Sequence, residues 1–244
     1  MLQLAWLVPV FPLIGFVLIG LGKSYFKNAA AGIFASLMVL ASFVISAGIF
    51  FQLPEKATTI HLFNWINSGT LSIPFSFLID QISVIMLLIV TGVGFLIHVY
   101  SIGYMKDDEG YSRFFSYLNL FIFFMLLLVL GADYIVLFAG WEGVGLCSYL
   151  LIGFWFKNTD YNNAANKAFI MNRIGDLGFL LGIILIYITF GSTSFNVVFP
   201  AAASIGNNQN VITAITLLLF IGAMGKSAQI PLYTWLPDAM AGPT

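Results

Sequence analysis

The chain has 244 residues, 60% of them hydrophobic and only 8% charged, whereas soluble domains average about 45–50% apolar and about 25% charged residues. With a mean hydropathy of +1.00, it has too little polar surface for a soluble fold and reads as an integral membrane protein. The net charge of −1 excludes electrostatic attraction to nucleic acid, and the single cysteine, Cys147, excludes an intrachain disulfide.

A helix crossing a hydrocarbon core of about 30 Å needs about 20 apolar residues. Seven runs meet or approach that length: Leu4–Leu21, Ala29–Phe51, Phe75–Met105, Phe114–Ala132, Tyr134–Phe156, Ala168–Phe190, and a seventh from about Val211. The first is long enough to span and lacks a basic start, which sets it apart from a cleavable signal. Their length, without alternation of period two, predicts helices rather than barrel strands. The third run is longer than needed, so its start is expected at the interface, with Asp80 as a helix-start residue favoured by the dipole. Only Asp133 stands between the fourth and fifth runs, which predicts an antiparallel helical hairpin. Residues 191–210, rich in Gly, Ser and Asn, read as a loop.

Basic residues gather in alternate loops. Lys23 and Lys27 follow the first span, Lys106 and Arg113 the third, and Lys157 and Lys167 bracket the connection from the fifth to the sixth; the opposite loops offer Lys56. By the positive-inside rule the three basic loops face the cytoplasm, or a mitochondrial matrix, and the N-terminus faces outward.

Three ionisable residues interrupt these apolar runs. A charge at bilayer depth costs a few kcal/mol or more, so such residues face a partner or a water-filled path. Glu142 lies near the middle of the fifth span among Ala139, Gly140, Gly143 and Gly145, small residues that admit a neighbouring helix. It reads either as a structural carboxylate or as a titratable group in a proton or ion path. Asp176 sits near the centre of the sixth span. Asn172 and Arg173 precede it by about one turn, and Asn166 lies further toward the basic side. Mutual neutralisation of Arg173 and Asp176 accounts for part of this stripe, and a hydrated half-channel for the whole. Lys226 follows Gly225 and precedes Pro231, so the seventh helix rises only about 23 Å from Val211 before a proline-marked break. Broken helices at membrane depth are tolerated where protein or a water-filled cavity covers the freed backbone, a transporter-like arrangement; snorkelling to the cytoplasmic surface is the alternative. His98, near the inner end of the third span, is a further candidate proton carrier, against packing alone. No cysteine cluster, paired haem-ligating histidines or phosphate-binding glycine loop is present in the sequence, so no cofactor or metal is expected in this chain.

With these residues placed, longer words stand out: HVYSIGYM at 98–105, GWEGVGLCSYLLIGFWF at 140–156, NRIGDLG at 172–178 and GKSAQIPLYTWLPDAMAGPT at 225–244. Together they resemble the antiporter-like L subunit of respiratory complex I, the bacterial NADH–quinone oxidoreductase. The likeness is dense from about residue 95 onward and looser before it. Large subunits of multisubunit sodium/proton antiporters and membrane subunits of energy-converting hydrogenases share part of this wording.

The resemblance implies an all-α polytopic bundle of about seven transmembrane helices with a discontinuous seventh, forming an incomplete antiporter-like inverted repeat. It divides the chain into an N-terminal three-helix region, 1–112, and a first proton-translocating unit, 113–244, truncated before its last helix. It implies a translocase subunit in which Glu142 and Lys226 form a charge pair, Asp176 and Arg173 modulate it, and His98, Asn166 and Asn172 contribute to a proton path, with the helix break at Pro231. The alternative is the large subunit of a cation/proton antiporter. The implied partners are the lipid bilayer, other membrane subunits of complex I and, indirectly, a hydrophilic arm carrying flavin and iron–sulfur centres. A bacterial inner membrane ranks ahead of a mitochondrial one. Members of that family continue past the final GPT into an eighth helix and a second unit, so the chain is expected to be either a fragment or one piece of a split gene product.

Overall fold

The structure is a computed structural model that describes residues 2–22, 28–53, 56–69, 71–204 and 209–243. Lys23 and Lys27, used above for orientation, lie outside the described residues. The helices are α1 (Leu7–Leu21), α2 (Asn28–Phe50), α3 (Gln81–Tyr104), α4 (Tyr111–Leu130), α5 (Tyr134–Ile152), α6 (Thr159–Phe190), α7 (Phe195–Ser204) and α8 (Gln209–Lys226), with strands β1 (Thr58–Ser68) and β2 (Leu71–Ile79) between α2 and α3. Among the described residues, seven helices are long and apolar enough to cross a membrane, and α7 is a shorter apolar helix. The chain is a multi-pass, largely helical membrane protein.

Three elements depart from expectation. Residues 75–79, assigned above to the third span, belong to β2, where apolar Leu71, Ile73, Phe75, Phe77 and Ile79 alternate with Ser72, Pro74, Ser76 and Leu78. That period of two was masked by the apolar helix that follows. The hairpin turns at Gly69, whose φ of 57° suits a residue without Cβ, and Phe63 stacks on Phe75 at 4.9 Å. Residues 191–210 are not simply a loop, since α7 forms within them around Val197, Val198 and Phe199. Finally, α6 begins at Thr159 rather than Ala168, so Lys167 is helical. Its 32 residues span about 48 Å, longer than the bilayer core. Its first turns are polar, and hydropathy alone does not see a helix that continues into water.

Local capping explains the boundaries. Asp80 opens α3 through a capping box: its carboxylate accepts the Ser83 N–H at 2.7 Å, and its own N–H donates to Ser83 Oγ at 2.9 Å. Asn158 caps α6 by accepting the Asp160 N–H at 2.9 Å. Asp133, the buried cap of α5, accepts the Ile135 N–H and the Thr193 hydroxyl, each at 2.8 Å. Burial pushes the Asp133 carboxyl above its ordinary range, the two hydrogen bonds opposing that shift.

Two compact units result. The first comprises Met1–Leu62, Ser76–Gly131 and Ala139–Cys147, and the second Phe63–Phe75, Ala132–Phe138 and Ser148–Thr244. Within the first unit α4 packs with α1, α2 and α3.

In the first unit, neutral polar side chains tie the helices. Ser42 Oγ donates to the Val8 carbonyl at 2.7 Å, and Ser116 Oγ to the Phe16 carbonyl at 3.0 Å. Gly140 and Gly143 of α5 lie against Leu128 and Phe124 of α4. As the α5 number rises the α4 number falls, the antiparallel hairpin that the short connection predicts.

In the second unit α6 and α8 meet along a glycine seam. A Cβ on Gly175 would lie 3.0 Å from the Gly225 Cα, while Ile221 fills the space left by Gly178 and Phe179 the space left by Gly222. Such close approach is a feature of small residues at membrane helix interfaces. Ile186, Val198 and Ile215 then bind α6, α7 and α8 into one apolar cluster.

Candidate functional site

The glycine seam determines what happens one residue past Gly225. Lys226 is the last residue of α8, and with the helices in backbone contact its ammonium lies 3.9 Å from Asp176 Oδ2 of α6. The side chains are 18% and 4% exposed, respectively. At 3.9 Å the pair is in ionic contact, beyond the distance of a hydrogen bond.

The helix stops at Lys226, five positions before Pro231. The stop is a Schellman turn. The Gln229 N–H donates to the Met224 carbonyl at 3.0 Å and the Ala228 N–H to the Gly225 carbonyl at 3.4 Å. Ala228 takes the left-handed φ of 48° that such a cap requires. The Trp235 indole N–H adds a second donor to the Gly225 carbonyl at 3.1 Å. The Met224 and Gly225 carbonyls are therefore satisfied, and Pro231 follows in the segment after the turn with a cis peptide bond. That segment returns to the first turns of α6: Trp235, Ala239 and Ala241 pack on Ile152, Ala164, Ala165 and Ala168, and Lys167 Nζ reaches Asp238 Oδ2 at 2.7 Å.

The other sequence candidates separate. Asn172 is buried beside Asp176 and donates to the Ala168 carbonyl at 2.8 Å, while its own Oδ1 has no hydrogen-bond partner among the described residues. Arg173 is exposed, with its guanidinium 4.9 Å from the Phe169 ring centroid. Asn166 is exposed as well. It is six residues from Asn172, about 240° around the helix, and so lies off the buried face that holds Asn172 and Asp176. Glu142 is midway along α5, partly buried, and belongs to the first unit. His98 also belongs to the first unit and is 1% exposed. Its Nδ1–H donates to the Gly94 carbonyl at 2.7 Å, which leaves Nε2 to accept from the Asn119 amide at 3.3 Å. That is a neutral imidazole held at both nitrogens. Sequence reasoning missed the direct approach of Asp176 to Lys226. The available signal was the matched glycines, Gly175 one residue before Asp176 and Gly225 one before Lys226.

Residues 131–244 match a family described as NADH:quinone oxidoreductase/Mrp antiporter, transmembrane. Residues 65–115 match the N-terminus of NADH–ubiquinone oxidoreductase (complex I) chain 5. The chain is 50% identical over 218 residues to NADH-quinone oxidoreductase subunit L of Campylobacter jejuni, covering 89% of this chain and 35% of that protein. It is 45% identical over 249 residues to subunit L of Rickettsia felis, covering 99% and 39%, and 44% identical over 248 residues to NADH-ubiquinone oxidoreductase chain 5 of Chondrus crispus, covering 98% and 37%. It thus spans somewhat over a third of the length of these relatives. Its fold is shared with a chain of the Mrp complex from Dietzia sp. DQ12-45-1b, at a TM-score of 0.79 and 24% identity over 97% of this chain and 25% of that one. A chain of the archaeal membrane-bound sulfane sulfur reductase gives 0.82 at 22% identity over 99% and 48%.

The fold and these matches define an antiporter-like membrane subunit. Within that class, the chain belongs to the NADH–quinone oxidoreductase subunit L and complex I chain 5 family.

Proposed function

We propose that the chain is part of a proton-translocating membrane subunit of an NADH–quinone oxidoreductase, in which Lys226 alternately holds and releases a proton. The observation that carries this reading is the loose contact between Lys226 and Asp176 at the capped end of α8. Two unit charges at that distance interact by on the order of 4 kcal/mol at an effective dielectric near 20, so changing the distance to a carboxylate changes how firmly the ammonium is held. Asp176 is one such carboxylate and Glu142, which the family resemblance pairs with Lys226, is the other. Arg173 modulates Asp176 from one turn away. The Asn172 side-chain oxygen, Oδ1, supplies a buried acceptor for a hydrated route, with Asn166 toward the basic end of α6. For His98 to carry a proton on Nε2, Asn119 must first let go of it.

The energy would come from partner subunits: other membrane subunits and, beyond them, a hydrophilic arm with flavin and iron–sulfur centres. The membrane would be a bacterial inner membrane with the N-terminus outside. The test is Glu142→Gln and Lys226→Ala in the full-length subunit within its complex. Proton pumping per quinone reduced is expected to fall about tenfold or more in each variant, a barrier change of about 1.4 kcal/mol. Normal pumping and normal quinone-linked turnover in both would refute it. The family description that also names Mrp antiporters favours a second reading, a cation/proton antiporter subunit. Sodium-dependent proton exchange without NADH, abolished by Lys226→Ala, would select it.

A further inference from the structure

We propose that the groove between the C-terminal end of α1 and the first turns of α4 binds one anionic phospholipid. The groove encloses about 460 Å³ within the first unit. Phe16, Val17 and Leu21 line it from α1, with Tyr117 from α4, and its polar groups come from the start of α4. Of these, the Ser116 hydroxyl is spent on the Phe16 carbonyl. Ser112 lines the groove, is 6% exposed, and its hydroxyl has no hydrogen-bond partner among the described residues. Arg113, one residue on, brings a guanidinium to the same wall.

The arrangement is amphipathic along its length. Apolar walls accept an acyl chain, while the guanidinium fork and a spare hydroxyl suit phosphate oxygens. The N-terminal end of α4 strengthens the polar part, because its cap, Gly110, provides no side-chain acceptor and the dipole there favours an anion. Since α1 ends at Leu21 and α4 begins at Tyr111, the groove lies where two spans end, at head-group depth. Basic pockets between transmembrane helices at that level recognise anionic head groups. The carboxylates of the preceding loop, Asp107, Asp108 and Glu109, oppose an anion, but the Asp108 carboxylate is engaged by the Gly110 N–H at 2.6 Å. A zwitterionic lipid would fill the walls and gain far less from Arg113, which is why the site is assigned to an anionic one.

The experiment uses the purified full-length protein in phosphatidylcholine nanodiscs doped with phosphatidylglycerol, extracted into detergent and weighed by native mass spectrometry. Retention of one phosphatidylglycerol per protein in preference to phosphatidylcholine is expected. Arg113→Gln, which removes the charge, and Val17→Trp, which fills the groove from a partly exposed position, should each lower that retention about tenfold. Arg113→Lys, which keeps the charge and loses the fork, should fall between, and it serves with Ser112→Ala if Arg113→Gln does not fold. Equal retention of both lipids, unchanged retention in these variants, or full displacement by inorganic phosphate would overturn the proposal.

Discussion

The bundle of α1–α4 in the first unit and the α6–α8 pair in the second are held together by different chemistry. In the first, α1, α2, α3 and α4 are joined by neutral hydrogen bonds: Ser42 to Val8, Ser116 to Phe16, Asn119 to His98. Every one of these donors meets an acceptor at hydrogen-bond distance, and the only ionisable member, His98, is engaged at both nitrogens. In the second, α6 and α8 are joined by glycines in backbone contact, and the polar groups beside them are a carboxylate and an ammonium 3.9 Å apart. Cohesion there comes from packing, so the charges are not needed as glue. The polar groups that bind these helices are neutral, whereas the charged groups lie beside a seam that already holds.

That contrast is most open to attack at the seam. Gly175→Val should destabilise the protein by about 3 kcal/mol, since its Cβ would meet the Gly225 backbone. Gly103→Ala, whose Cβ would meet nothing within 4 Å, should be neutral or slightly stabilising. Thermal unfolding of the purified variants measures both, and similar midpoints would dissolve the distinction between the units. In the first unit, Asn119→Leu should cost about 2 kcal/mol, because it strands the His98 Nε2 acceptor in an apolar interior. Ala228→Gly should raise stability by about 1 kcal/mol by relieving the left-handed backbone of the α8 cap.

The smallest effect concerns pH. The Asp133 carboxyl is raised by burial, so its contribution to stability is present below its ordinary value of 3.8 and is lost as pH rises through the folded value. Asp133→Asn keeps an oxygen for the Ile135 N–H and never ionises. It should therefore unfold at a slightly higher temperature than the parent near neutral pH and at nearly the same temperature in acid. An identical difference at both pH values would show that the carboxyl does not titrate as its burial requires.

Hydropathy made the spans legible because a bilayer core imposes one length on all of them. Asp80, Asp133 and the charges at 142, 176 and 226 were legible because a polar residue inside or just before an apolar run has few physical reasons to be there. Three features were not. The alternation in 71–79 ran into the helix of α3, the apolar turns of α7 were hidden among Gly, Ser and Asn, and the polar start of α6 carries no hydropathy signal. The approach of Asp176 to Lys226 depends on the register of two helices fifty residues apart. The matched glycines at 175 and 225 encode that register, yet they mean little until the helices are placed side by side.

The toothed character of that seam also has a kinetic consequence. Ile221 lodged against Gly178 and Phe179 against Gly222 mean that sliding α8 along α6 requires lifting both side chains out together, a collective event in the microsecond-to-millisecond range. Turning the Lys226 side chain away from Asp176 requires only rotation about single bonds, a picosecond-to-nanosecond event where it is unobstructed. Making and breaking this ion pair is therefore expected to be fast compared with sliding of the two helices. Of the two motions within the α6–α8 pair, only the sliding of the helices is slow.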